Sequence, residues 1–172
     1  MGKKIRALAV LFLFIGCVSA KAQIYLDSLN SQSKAMLLAF RGNDFNAHLR
    51  YIHPKIISMM GGVDSALATL KVGIKVIEES GLSNIDIKNE KPEQLVQSGH
   101  LIQCLMPQAS NAMIKNKKIK AISYLICISY NGGKNWFFIN ADKEKETQLK
   151  KLIPEINKEL VIPAMQITDN SY

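Results

Sequence analysis

LVQSGHLIQCLMPQASNAMIKNKKIKAISYLICISYNGGKNWFFIN, residues 95–140, decides the fold. It is a series of runs dense in apolar, β-branched and aromatic residues, broken by short polar stretches. Runs of that length and punctuation read as strands. Leu95 to Pro107 and Ala109 to Ile114 form one long run with an expected bulge near Pro107, Ile119 to Tyr130 form the next, and Asn135 to Asn140 the last. Asn116-Lys117-Lys118 turns the chain between the long runs. Asn131-Gly132-Gly133-Lys134 turns it again, its glycines supplying positive φ. Just upstream, Ile85-Asp86-Ile87-Lys88 alternates, which gives a further strand with Asp86 facing outward. Four strands joined by short turns predict an antiparallel meander whose apolar face needs a cover.

The residues before it supply that cover. Between Asp27 and Arg41, Leu29, Met36, Leu37 and Phe40 fall mostly on one helical face, and Gly42-Asn43 ends the segment. DFNAHLRYIH reads as a short helix capped by Asp44 and stopped before Pro54, with His53 as its terminal cap or turn residue. After the Gly61-Gly62 break a third helix starts at Asp64 or Ser65. Leu67, Leu70, Ile74 and Ile77 form its apolar stripe, Lys71, Lys75, Glu78 and Glu79 its wet face, and Gly81 closes it. Downstream, Glu144 to Leu152 is a short amphipathic helix, and Leu160-Val161-Ile162-Pro163 an extended tail packed on the body. The fold class expected is therefore α+β.

The first twenty-two residues, MGKKIRALAVLFLFIGCVSAKA, join a basic start to an apolar run from Ala7 to Val18 and then to small residues. That is the layout of a cleaved secretory leader, and the run is shorter than the about 20 residues a membrane span needs. Cleavage is expected after Ala22, leaving a single domain over residues 23–172 in a periplasmic or extracellular setting. Acylation of Cys17 as a lipoprotein is disfavoured, because lipoboxes usually carry Leu three residues before the Cys and this one has Phe14. Lys3, Lys4, Arg6 and Lys21 leave with the leader, so the whole-chain charge of +8 falls to +4, eighteen basic against fourteen acidic side chains. So modest a charge argues against a nucleic-acid partner. The densest basic cluster, Lys115, Lys117, Lys118 and Lys120, has no interleaved aromatics and reads as a solvated turn. Cys104 and Cys127 would remain after maturation, either as a disulfide pair or as buried core thiols, and the spacing of Cys and His offers no metal site.

The segments FRGNDFNAHLRYIHPKIISMMGG, YLICISYNGGKNWFFIN and LKKLIPEINKELVIP resemble a group of small exported bacterial proteins of the nuclear-transport-factor-two-like, or cystatin-like, superfamily. A helix–Tyr-x-x-Pro–helix–Gly-Gly element is matched by Tyr51 to Gly62, and a Lys-x-Trp hairpin by Ser129 to Trp136, with Tyr130-Asn131 where an acidic residue is common. The resemblance implies that the four-stranded sheet curves around the helices as a cone with a cavity. Enzymes of that superfamily use an Asp or His in the cone as a base, and sheet-mediated homodimers are common in it.

Candidate residues for such a pocket are few. His48 could face the sheet one helical turn before Tyr51, and Tyr124 and Trp136 offer large apolar faces with a polar tip. Asp44 and Asp64 are explained as helix caps, and the Asp142 to Lys151 run as a solvated face. No apolar stretch contains a carboxylate placed for acid–base work, no nucleophile elbow or phosphate-cradling loop occurs, and no cofactor is indicated. The expectation is therefore a non-catalytic binding protein holding a small apolar ligand or a peptide, with Tyr51, His48, Tyr124 and Trp136 as pocket candidates. Two alternatives stand beside it: an interaction protein with a filled cavity that dimerises through its sheet, and a small isomerase or hydrolase using His48 or His53.

Overall fold

The computed structural model describes residues 25–114 and 117–169. The expected leader, with Cys17, falls on residues outside the described ones, as do residues 115–116 and 170–172. Helix α1 covers residues 25–41. Leu29, Ser33 and Met36 are its buried positions, at steps of four and three, so one stripe meets the sheet. Asn43, with φ of 57°, ends it as anticipated, its N–H bonding to Phe40 O at 3.1 Å. Helix α2, Phe45–Leu49, is capped by Asp44, whose carboxylate accepts from Ala47 N at 3.0 Å.

A helix that the periodicity did not announce, though the Tyr-x-x-Pro–helix–Gly-Gly resemblance implied one between Pro54 and Gly61, follows: α3, Pro54–Met59. His53 begins this helix rather than ending the previous one. Its Nδ1 accepts from Lys55 N at 3.2 Å, and Pro54 at the first helical position has no N–H to leave unsatisfied. Helix α4, Val63–Glu79, starts one residue earlier than expected, with Gly62 as N-cap and no side-chain cap. Asp64 therefore sits in the first turn, where its charge favours the helix dipole, rather than in the cap.

Six strands form one antiparallel sheet, against the four expected. The run beginning at Leu95 splits at a Gly99-His100 turn into β2 (Glu93–Ser98) and β3 (Leu101–Ile114), and β1 is Leu82–Asn89. β4 is Lys117–Ser129, so Lys117 and Lys118 belong to a strand and not to a turn. β5 is Phe137–Ala141, and the tail adds β6, Gln166–Asp169. β1 and β2 share one edge of β3, while β5 and β6 share the far edge of β4. Each level of the sheet is thus four strands wide.

No bulge interrupts β3 against β4 at Pro107. Met106↔Leu125, Pro107↔Tyr124 and Gln108↔Ser123 follow in register. Pro107 O accepts from Glu90 N at 2.8 Å, so the backbone polar groups of Pro107 face the gap between β1 and β2. A proline is tolerated there because the missing N–H is absent from the edge and not from the β4 ladder. The irregularities fall on β1 and β2 instead. The register of β1 shifts between Ser83 and Asp86, with Asn84 at φ 51°, which breaks the alternation and leaves Ile85 exposed and Asp86 paired with Arg41 at 2.8 Å.

Both faces of the sheet centre are buried, which explains the unbroken apolar wording of β3 and β4. On one face Ile102, Cys104, Met106, Leu125, Cys127 and Phe138 pack with Leu29 and Met36 of α1. On the other, Leu105, Tyr124, Ile126, Ile128 and Ile139 pack under Ile153, Ile156, Leu160 and Ile162 of the C-terminal segment, which includes α5 (Glu146–Leu152) up to its end. Two glutamines hold that segment down. Gln103 donates to Glu155 O at 2.6 Å and accepts from Asn157 N at 2.9 Å, and Gln94 brackets Val161 through its N–H and C=O at 2.8 and 3.0 Å.

Cys104 and Cys127 are directly opposite, buried and free. Phe138 N–H goes to Tyr51 O, outside β5, and Pro107 O goes to Glu90, outside β3. Alternation then makes the cysteines a hydrogen-bonded pair, with Cβ atoms about 5.5 Å apart by ordinary ladder geometry, beyond the about 4.5 Å limit of a disulfide. The free-thiol alternative is the one the register supports. Burial first, and then the facing thiol, push the Cys127 thiol well up.

Candidate functional site: a hollow between the helices and the sheet

A cavity of about 360 Å³ opens between the helices and the sheet. Met36, Leu37 and Phe40 of α1 form one side, His48 and Leu49 of α2 another, and Ile52 with Ile56 of α3 and its C-cap Met60 a third. Leu70 of α4 closes it from outside, and Ile87, Gln108, Leu125, Phe138, Ile139 and Asn140 give the sheet wall. No carboxylate is among these lining residues. The hollow exists because α4 lies over α2, α3 and the β1 edge and buries only Ala66 fully.

His48 is the one pocket candidate that lines this cavity. Its Nδ1 lies 3.2 Å from Met36 O and its ring 5.3 Å from that of Phe40. A carbonyl only accepts, so Nδ1 carries the proton and Nε2 the lone pair. Burial lowers the pKa of His48 from the ordinary histidine value, against a smaller upward pull from Met36 O.

The other three candidates lie elsewhere. Tyr51 packs on Phe138, with ring centroids 6.4 Å apart, and its backbone O accepts from Phe138 N at 2.8 Å. Tyr124 is on the opposite sheet face, under the C-terminal segment. Trp136 is 1% exposed in the core, where Nε1 donates to Gly133 O at 3.1 Å and its backbone N donates to Gln32 Oε1 at 3.0 Å. The hairpin around it is a self-bonded loop: Ser129 Oγ accepts from Gly133 N, and Asn131 Oδ1 accepts from Asn135 N, both at 2.9 Å. Gly133, at φ 82°, passes so close to α1 that an added Cβ would sit 2.6 Å from Tyr25 Cδ1. The residues of that hairpin therefore build architecture.

A titratable cluster lies outside the hollow. His53, 3% exposed, has Nε2 at 2.8 Å from Tyr130 Oη, and Glu155 is paired with Lys55 at 3.0 Å. Burial, then the Glu155 carboxylate, push the Tyr130 phenol up to about 12. Burial also lowers His53, with Glu155 pulling it up and Lys55 adding to the fall. Since Nδ1 of His53 accepts the α3 capping bond, Nε2 holds the proton and donates to Tyr130, and the cluster ties α3 to the β4–β5 hairpin and the C-terminal segment. His100 is exposed.

Among the described residues no group of His, Cys, Asp and Glu could hold a metal ion, and no helix is long and apolar enough to cross a membrane. The chain matches no family model, no curated protein and no solved structure. The sequence signal that could have located the hollow is the surplus of apolar residues at the end of α1 and along the short helices and turns after it, Phe40, Leu49, Ile52, Ile56 and Met60, which exceeds what one helix layer needs to cover a sheet.

Proposed function

We propose that this chain is an exported, non-catalytic binding protein that holds a small apolar ligand between its helices and a sheet curved around them as a cone, the arrangement implied by its resemblance to the cystatin-like superfamily. The observation that carries the reading is the cavity of about 360 Å³ with an almost wholly apolar wall. A pocket of this volume and lining is of the kind that takes small molecules, with a few polar groups fixing orientation. At about 30 Å³ per water-sized group it holds about a dozen heavy atoms. That size favours short aliphatic or monocyclic molecules over steroids and peptides. The C-terminal segment already occupies the outer sheet face at Tyr124, Ile126 and Ile128, which leaves that region unsuited to a sheet-mediated dimer.

The test is thermal denaturation of the chain from Gln23 onward in the presence of medium-chain alcohols, monoterpenes, fatty acids, steroids and apolar peptides. A compound of the right size at about 100 times its Kd should raise the melting temperature by about 5–10 °C. Leu70→Trp, which fills the hollow, should abolish that rise. A panel that leaves the transition unmoved, with Leu70→Trp indifferent, removes the binding reading.

A further inference from the structure

We infer that the ligand is an apolar molecule of about a dozen heavy atoms carrying one hydroxyl, and that this hydroxyl donates a hydrogen bond to Nε2 of His48. The inference rests on the hollow being a ligand site, and names the chemical class that enters it. Among the lining residues, three bear polar side-chain groups: His48, Gln108 and Asn140. Asn140 is at the exposed rim, and the amide N–H of Gln108 is committed to Asn89 Oδ1 at 2.9 Å. His48 combines a fixed tautomer with an unused acceptor beside the Phe40 ring, and Gln108 Oε1, which no described residue uses, is a further acceptor and not a competing donor. The Nδ1–H of His48 is held by Met36 O at 3.2 Å, which leaves Nε2 as an acceptor. No described residue bonds to that Nε2, and it is not among the sealed, unpartnered atoms of the protein, so it is reachable.

The surroundings sharpen the chemistry. The ring is flanked by Phe40 at 5.3 Å and shares the wall with Leu49 and Ile52. Burial keeps the imidazole neutral near pH 7. A neutral acceptor in an apolar wall has nothing to offer a carboxylate, whose desolvation would go uncompensated. It has nothing to offer an ether either, which only accepts. An alcohol supplies the missing proton.

Decanol and methyl nonyl ether have the same number of heavy atoms and differ in the donor. Calorimetric titration of the full mature chain at pH 7.5 should give decanol an advantage of about 2- to 10-fold in Kd, the worth of one ordinary hydrogen bond. Decanoate should bind more weakly than the ether. In His48→Phe, which keeps a ring but removes the acceptor, decanol and ether should bind alike. On adding decanol to the wild-type protein, the side-chain nitrogen resonance assigned to His48 Nε2 should shift, while methyl nonyl ether should leave it in place. That measurement needs no variant to fold. Equal binding of alcohol and ether, tighter binding of decanoate, or an unmoved Nε2 resonance overturns the inference while leaving an apolar ligand site standing. Binding of none of the three overturns both.

Discussion

Helices α1 and α4 carry the same kind of apolar stripe and reach different ends. The stripe of α1 lies on the filled centre of the sheet at Leu29, which is sealed, and reaches the rim of the hollow only at its C-terminal end, where Met36 is 3% exposed. The stripe of α4 lies over two short helices and a strand edge, so Leu67, Leu70 and Ile74 are half-buried and Ile77 is exposed, along with Val72 and Val76 on the far side. What separates them is anchoring. α1 is tied to the β4–β5 hairpin by Gln32, which bonds Lys134 O at 2.8 Å and Trp136 N at 3.0 Å, and to β1 by Arg41. The hydrogen bonds of α4 run within the helix and its two glycine junctions, and its fit is therefore loose enough to leave a hollow beneath it. The same periodicity thus makes a core on one side of the molecule and a cavity wall on the other.

The largest test of that contrast is a matched truncation. Leu29→Ala, in the packed region away from the hollow, should cost about 3–5 kcal/mol in chemical denaturation, because its neighbours cannot collapse into the space. Leu70→Ala should cost less than about 2 kcal/mol, since that side chain already borders empty volume. Equal costs would mean that α4 is packed as tightly as α1. Gly133→Ala comes next. It places a Cβ against Tyr25 and forces an L-residue to φ 82°, so a loss of about 2–3 kcal/mol is expected. A melting transition unchanged by Gly133→Ala would show that α1 is not held against the hairpin at Tyr25.

Acid should weaken the loosely fitted side. Burial lowers both His48 and His53 from the usual value, so the unfolded chain binds protons that the folded chain refuses. The stability these neutral imidazoles contribute is fully present above about pH 6.5 and is lost as pH falls through their lower folded values. Urea midpoints measured from pH 7.5 down to 5 should decline. His53→Asn keeps a capping oxygen for α3 and should flatten the decline. An identical pH profile in His48→Phe combined with His53→Asn would remove the two imidazoles as its cause. The smallest effect belongs to the outside of α4. Val72→Lys and Val76→Lys should each change stability by no more than about 0.5 kcal/mol. A large loss on either would reveal that this face is covered in solution.

Legibility followed the same division. The Gly61-Gly62 break, the Asn43 stop and the Asp44 cap were readable because each is a local matter of φ or of one orphan N–H. His53 reads as the end of α2 because a residue between two helices can cap either, and only the bond from Lys55 N decides for α3. Pro107 reads as a bulge because a strand proline must avoid a ladder, and the sequence does not say which ladder faces its nitrogen. For the site, the helix that carries His48 was legible and its exposure to the cavity was not. Tyr124 and Trp136 looked like pocket residues by chemistry alone, and pairing placed one beneath the C-terminal segment and the other in a hairpin core.

By itself the chain of residues determined that helices precede strands, where α1, α2, α4, β4 and β5 begin within a residue or two, and which side chains are apolar, because these depend on neighbours within a few positions. Tertiary structure alone decided that both sheet faces are buried, that the tail supplies a sixth strand, that the two cysteines oppose each other as thiols, and that α4 stands far enough off to leave space beside His48. Those outcomes depend on which distant stripe wins each patch of sheet. Burial energy is proportional to area and blind to sequence distance, so no local pattern encodes the choice.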